Sequence, residues 1–339
     1  MKNYQKVLLT VLKNMPVILF VVIFIVFSLL DRRFFSLANL ENIILSSSFV
    51  GIIAVGMTFV LLTGGIDLSV GAIMYVAGGT IALLLEQGIP LGLAILAGVA
   101  AGTLMGCLNA FFISKLKIIP FMVTLGTLTA GRGLGLLITQ SRNISVPPEM
   151  RFGAVRALGL PIPILTFLLV ILLAVIVLKF TPLGRQIYAM GNDVEAAKKA
   201  GLNTGRLTMF VYIISGFCAS VGAVIAISQQ GMVSAGFGNG VEFRAIAAAV
   251  LGGTSLFGGS GAVFPGTLVG TLLVQMIQNG LVYLQVDLYV QDLISPLVIF
   301  FAVFIDAQRT SLLKRLERRN IRVEVPAEVD RKAFPRAVE

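Results

Sequence analysis

The sequence predicts an all-α integral membrane protein of about ten transmembrane helices, with both termini on the cytoplasmic side. Three observations carry that expectation: long apolar blocks follow one another, charge is scarce, and Lys and Arg gather on one side of the blocks. Of 339 residues, 57% are hydrophobic and 12% charged, and mean hydropathy is +0.96. A soluble domain uses about 25% charged residues to keep its surface in water. A helix crossing the bilayer core needs about 20 predominantly apolar residues.

The blocks run in order 17–30, 43–62, 69–85, 91–113, 120–139, 162–179, 207–228, 243–258, 264–283 and 290–306. The first follows basic residues, as in a signal peptide. It ends in Leu30-Asp31-Arg32-Arg33 with no small-x-small cleavage site, so an uncleaved first span is expected. The outer stretch 140–161 has Pro147, Pro148 and Pro161 and reads as a rigid connector. The chain divides into a membrane domain, 1–306, with a long inner loop at 180–206, and a basic tail, 307–339.

Charge orients the bundle. Nineteen of the 26 Lys and Arg residues fall in the N-terminal arm, the 114–119 turn (Lys115, Lys117), the 179–206 loop and the tail. Arg32, Arg33, Arg142, Arg151 and Arg156 lie on the other face. Cytoplasmic loops collect basic residues. The net charge of +10 needs no nucleic-acid partner, because nine of the positive charges lie in a tail facing an anionic lipid surface.

Within 180–206, the run from Asn192 to Gly201 has the marks of a short helix. Asn192 is the expected N-cap, and Glu195 three residues on completes a capping-box pattern. Asp193 and Glu195 precede Lys198 and Lys199, as the helix dipole prefers, and Glu195 and Lys199 are four apart. Ala196 and Ala197 fill the middle, Gly201 stands where a left-handed C′ residue is wanted, and Thr204 opens the next span. About two turns are too short to be stable alone, so this helix must pack on its own bundle or dock into a partner.

Two glycine-rich stretches interrupt apolar runs: Thr63-Gly64-Gly65-Ile66-Asp67-Leu68-Ser69-Val70-Gly71, and Leu251 to Gly261 with five glycines. They read either as tight turns at the cytoplasmic surface or as hinges beside a solute pathway. A charge at the centre of a span costs roughly 2.5–3.5 kcal/mol. Asp67 fits an N-cap of the third span, with the Ser69 and Val70 N–H groups as donors. Arg132 falls inside span five between Gly131 and Gly133, in a wet outer vestibule or paired within the bundle. Glu242 and Arg244, opening span eight at the outer face, are its candidate partners, and Asn109 in span four has no evident local mate.

Other chemistries find no support in the sequence. There is no histidine, no His/Cys/carboxylate cluster with metal-ligand spacing, and no Ser or Cys with a candidate base, so no catalytic residue is assigned. Cys107 and Cys218 sit in apolar spans as small core residues. No G-x-x-x-x-G-K-[ST] occurs, so the chain has no P-loop nucleotide site. An ion-coupled secondary carrier is the alternative reading, although most Asp and Glu lie in loops or the tail.

Four separated stretches, within a match running from about residue 35 to 306, resemble the permeases of ribose-type ABC importers. They are Val55-Gly56-Met57-Thr58 with Gly64 to Gly71; Ile119-Pro120-Phe121 with Thr124-Leu125-Gly126 and Arg132-Gly133; Gly184 to Asn192 with Glu195-Ala196-Ala197 and Gly201; and Ala248 to Leu256 with Gly258 to Gly261. The resemblance implies a ten-span permease working as a pair, as two copies or with a paralogue. Two partner ATPase domains would bind ATP-Mg, and a periplasmic binding protein would deliver a monosaccharide. It also implies that the 192–201 helix docks the ATPase. Pentoses, hexoses and autoinducer-2 are the substrates the resemblance allows. The tail departs from that family. Its Leu312, Leu313 and Leu316 among basic residues predict an interfacial amphipathic helix ending near Asn320.

Overall fold

The computed structural model describes residues 15–287 together with Val290, Leu297, Phe300 and Phe304. The tail, and all but four positions of the tenth expected span, lie outside the described residues. What is described is helical. Among the described residues, five helices are long and apolar enough to cross a membrane: Leu37–Leu62 (α2), Leu91–Ser114 (α4), Pro120–Thr139 (α5), Ile162–Phe180 and Thr204–Gln230 (α9). Met15–Leu30 (α1) and Val70–Glu86 (α3) are shorter apolar helices.

The boundaries follow local chemistry rather than hydropathy alone. Helix α2 begins before the expected residue 43, because the Ser36 hydroxyl accepts the Asn39 N–H at 3.2 Å and caps a polar first turn. Helix α9 begins at Thr204, but its cap is Asn203, whose Oδ1 accepts the Arg206 N–H at 3.0 Å. In the sixth expected span, Ile162–Val175 (α6) ends in a π-turn, Ile176–Phe180. The eighth expected span is the most changed. Only Val241–Leu251 (α10) is helical there, and the glycine-rich backbone after it is irregular. The ninth enters through a π-turn, Val263–Thr267, before Leu268–Tyr283 (α11).

Helices α2 and α9 form the centre and are buried along most of their length. Helix α9 packs on α2, α3 and α4. Gly98, Gly102 and Gly106 recur every fourth residue on α4. A Cβ on Gly106 would meet the Tyr212 carbonyl oxygen at 2.9 Å and the Gly216 Cα at 3.0 Å, so α4 and α9 touch backbone to backbone. Inside a bilayer, where apolar burial gives little drive, such close packing holds helices together. Helix α1 stands to one side, held to α11 by an aromatic cluster in which Phe34 meets Tyr283 edge-on at 5.7 Å.

At one end of the bundle, Ile144–Ser145 (β1) pairs antiparallel with Met232–Val233 (β4), while Arg156–Ala157 (β2) and Leu160–Pro161 (β3) form a small hairpin. The 140–161 connector is thus stiffened by pairing as well as by proline. Arg142 bridges to Glu86 at 2.7 Å, and Arg156 bridges to Glu41. Both pairs are half-exposed, so each contributes about 0.2–1 kcal/mol at most.

Candidate functional site

The Gly64–Ser69 stretch is no surface turn. Gly64 turns the chain with φ +74, and the backbone then runs inward, burying Asp67 and Ser69 completely. Asp67 meets Ser215, which lies eleven residues, or about 16 Å of helix, from the start of α9. Helix α3 therefore starts deep in the bundle. Gly65 has no room for a side chain, because a Cβ would meet the Tyr212 hydroxyl at 2.5 Å.

Around Asp67 a chain of hydrogen bonds joins four helices. Thr127 on α5 donates to Asn109 Oδ1 at 2.6 Å, and Asn109 Nδ2 donates to Ser69 Oγ at 2.8 Å. The Ser69 hydroxyl and N–H donate to Asp67 Oδ1 at 2.6 and 3.0 Å, and Ser215 Oγ donates to Oδ2 at 2.7 Å. Each donor in the chain is directed toward the carboxylate. Asp67 is not the cap of α3: the cap position is Ser69, two residues on, whose own side chain caps no N–H of the helix, and only one of the two expected donors to Asp67 is found. Ser69 N–H is a donor, but the second acceptor lone pair goes to α9 rather than to Val70. Asn109, which lacked a local mate in sequence, finds its partners on other helices.

Arg132 lies within the bundle on α5. Its Nη1 donates to the Phe237 carbonyl at 2.7 Å, and its guanidinium stands 5.7 Å from the Tyr75 ring centroid. Glu242 and Arg244 stand in the first turn of α10, as expected, but that helix start is buried in the bundle. Positive φ at Gly238 and Gly240 turns the 231–240 loop inward, so the short helix α10 begins beside Gly71. Glu242 is buried, facing Gly71 and Arg132, whereas Arg244 turns away to lie 6.0 Å from the Phe49 ring.

Below the junction lies the 180–206 loop. It contains two helices, Pro182–Asn192 (α7) and Val194–Lys199 (α8). The cap of α8 is Asp193, not Asn192. Helix α7 runs on through Asn192, leaving Asp193 extended, with Oδ1 accepting the Glu195 and Ala196 N–H groups at 2.9 and 3.0 Å. Glu195 pairs with Lys198 at 2.6 Å rather than with Lys199. Gly201 takes the left-handed C′ position with φ +82, as its place in the sequence suggested. Ala197 is buried in the same cluster as Leu207, so its side chain is not on the free face of α8. Val194, Glu195 and Ala196 are exposed there.

The two glycine-rich stretches and α7 meet, a convergence that no local pattern revealed. Tyr188 donates to the Gly261 carbonyl at 2.8 Å, and the Gly259 N–H donates to the Leu62 carbonyl at 3.0 Å. Burial pushes the Tyr188 phenol above its ordinary range, so it stays protonated as the donor. A Cβ on Gly258 would fall 2.8 Å from the Gly191 carbonyl oxygen and 2.9 Å from the Gly64 nitrogen, and one on Gly259 would strike Asn192. Backbone contact this close transmits displacement, because there is no compressible side chain between the segments. The only signal in sequence was that all three stretches are rich in glycine.

The family model described as branched-chain amino acid transport system / permease component matches residues 39–303. The ribose import permease of Haemophilus influenzae is 35% identical over 292 residues, covering 84% of this chain and 90% of the relative. That of Bacillus subtilis is 37% identical over 297 residues, covering 86% and 92%. The autoinducer 2 import system permease of Photorhabdus luminescens is 32% identical over 292 residues, covering 85% and 88%. No solved structure matches the chain. With its apolar helices and a match over most of its length, the chain is a multi-pass membrane protein and belongs to the permease-component family that includes the ribose import permeases.

Proposed function

We propose that this chain is the membrane-spanning subunit of an ATP-driven importer carrying a small sugar across the bacterial inner membrane. The observation that carries the reading is the agreement of relatives named as ribose and autoinducer 2 import permeases over most of this chain. In this reading the chain makes ten spans, the last at 290–306, with both termini inside. It pairs with a second permease, its own copy or a paralogue. A periplasmic binding protein supplies the sugar, and a separate ATPase subunit binds ATP-Mg, since the chain has no P-loop. The import-permease relatives argue against the ion-coupled carrier.

The coupling element is the 182–199 segment. The ATPase docks on the free face of α8 through Val194, Glu195 and Ala196, with Asp193 capping the helix and Ala197 anchoring it. Asn192 and Tyr188 pass the movement to Gly258–Gly261, and the Leu62–Gly64 contact passes it to the buried junction at Asp67. Gly64, Gly65, Asp67, Ser69 and Asn109 then shape the inner gate where α3 begins.

The test is co-reconstitution in proteoliposomes with the ATPase subunit and the binding protein. Uptake of the sugar that the binding protein retains should require ATP. Uptake driven by an ion gradient without ATP would overturn the importer reading in favour of the carrier.

A further inference from the structure

Beside the 182–199 segment the bundle has an open cleft of about 370 Å³, lined by Val175, Leu178, Lys179, Tyr188, Val263 and Phe264. That is the size of a small-molecule site. Two breaks in helix geometry border it. Helix α6 ends in the π-turn Ile176–Phe180, and α11 is entered through the π-turn Val263–Thr267. Such turns recur at functional sites. Phe264 is extended within the second turn, and its ring is 59% exposed. Tyr188 forms part of the wall, its proton already donated to the Gly261 carbonyl at 2.8 Å.

The lining divides by chemistry. Val175, Leu178, Val263 and Phe264 are apolar, while Lys179 brings an ammonium group to the cleft. Lys179 is exposed and has no ion-pair partner among the described residues. Arg185, three residues before Tyr188, adds a second exposed cation to that face of α7. The apolar side continues along α6, where Leu169, Leu172, Leu173 and Ile176 are all exposed. In a multi-pass membrane protein such a row meets acyl chains, so the cleft opens at the end of a lipid-facing surface.

These features select the occupant. A free anion leaves four apolar side chains in water, a sugar makes no use of them, and an uncharged hydrocarbon leaves Lys179 idle. A zwitterionic lipid brings its own cation to the same place and is attracted less. We propose that the cleft binds one anionic phospholipid, with an acyl chain against Phe264 and the headgroup phosphate at Lys179. Because the cleft adjoins the Tyr188–Gly261 bond, an occupied site ties the coupling segment to the bilayer. That consequence, and the placement of the cleft at the cytoplasmic surface, rest on the importer reading; lipid binding itself does not.

Brominated lipids quench tryptophan on contact, and the sequence contains no tryptophan, so Phe264→Trp makes a single reporter in the cleft. The full-length chain carrying it is reconstituted in vesicles of mixed phosphatidylglycerol and phosphatidylethanolamine, with bromine on the chains of one lipid or the other. Phosphatidylglycerol should quench at a several-fold lower mole fraction than phosphatidylethanolamine. Adding Lys179→Gln should reduce that preference about fivefold, the contribution of one basic residue near a lipid surface. Leu169→Trp, ten residues or about 15 Å of helix before Lys179, should show no preference. Val175→Trp serves as the reporter if Phe264→Trp does not assemble as a monodisperse protein. Equal quenching by the two lipids, a preference unchanged by Lys179→Gln, or the same preference at Leu169→Trp would overturn the site. So would loss of the preference in excess inorganic phosphate, which assigns Lys179 to free phosphate, or no quenching by either lipid, which places protein over the cleft. The vesicles hold no ATPase and no binding protein. A failure here therefore leaves the importer reading standing, and a failure of ATP-driven uptake leaves the lipid site standing.

Discussion

A carboxylate within a helical bundle is stable only when its lone pairs are occupied, and Asp67 has three donors on its two oxygens. Hydrogen bonds to a charged group contribute about 1.5–3 kcal/mol each. Asp67→Asn keeps one acceptor oxygen and sets an amide against Ser215, whose hydroxyl can rotate to accept. It should lower thermal stability in detergent by about 1–3 kcal/mol and keep most uptake. Asp67→Leu leaves the Ser69 hydroxyl and N–H and the Ser215 hydroxyl without their acceptor, and should abolish both assembly and uptake. A well-folded Asp67→Asn protein with no uptake would mean that the negative charge itself serves transport. Ser69→Ala cuts the link to Asn109 and should cost about as much as Asp67→Asn; an unchanged melting temperature would show the four-helix connection to be unimportant.

At the scale of elements, the caps decide which changes loosen the coupling segment. Asp193→Ala removes the acceptor for two N–H groups of α8 and should destabilise that short helix by about 1 kcal/mol. Asn192→Ala leaves the cap intact. Hydrogen exchange should therefore show faster amides at Glu195 and Ala196 in the first variant only, and equal rates in both would contradict the assignment of the cap. Sequence alone made the short helix legible, through its acids before its lysines and Gly201 at its end. It misplaced the cap because two adjacent Asx residues compete, and the length of α7, which decides between them, is not locally encoded. The five helices long enough to cross a membrane were legible because they are long apolar runs. Span eight was misjudged because Ala245 to Leu251 and the glycines beyond are apolar enough to look continuous, although five glycines in eleven residues cannot hold a helix. Asn109 stood out only as a polar residue without a local mate, and Ser215 and Thr127 had no local signal at all, since the partners of all three are set by helix packing.

Across the whole molecule, coupling depends on mechanical continuity from α8 to the start of α3. Gly259→Ala should break it twice over, through its φ of +73 and through the clash with Asn192. We expect ATPase binding to survive while sugar uptake per ATP hydrolysed falls about tenfold or more, as for the loss of a uniquely positioned contact. The basic tail carries a separate expectation. Truncation after Asn320 should leave uptake intact, whereas truncation after Ala307 should lower the amount of assembled transporter; equal assembly from both would make the basic helix dispensable. The most direct test of continuity is a distance measured by pulsed electron paramagnetic resonance between spin labels at Val194→Cys and Phe257→Cys, both exposed in wild type, in a background lacking Cys107 and Cys218. If α8 and the 252–261 stretch move as one body, the label pair gives one narrow distance that stays the same with and without ATP in the assembled transporter. A distance that shifts or broadens when ATP binds would contradict the account, because the two segments would then be moving independently.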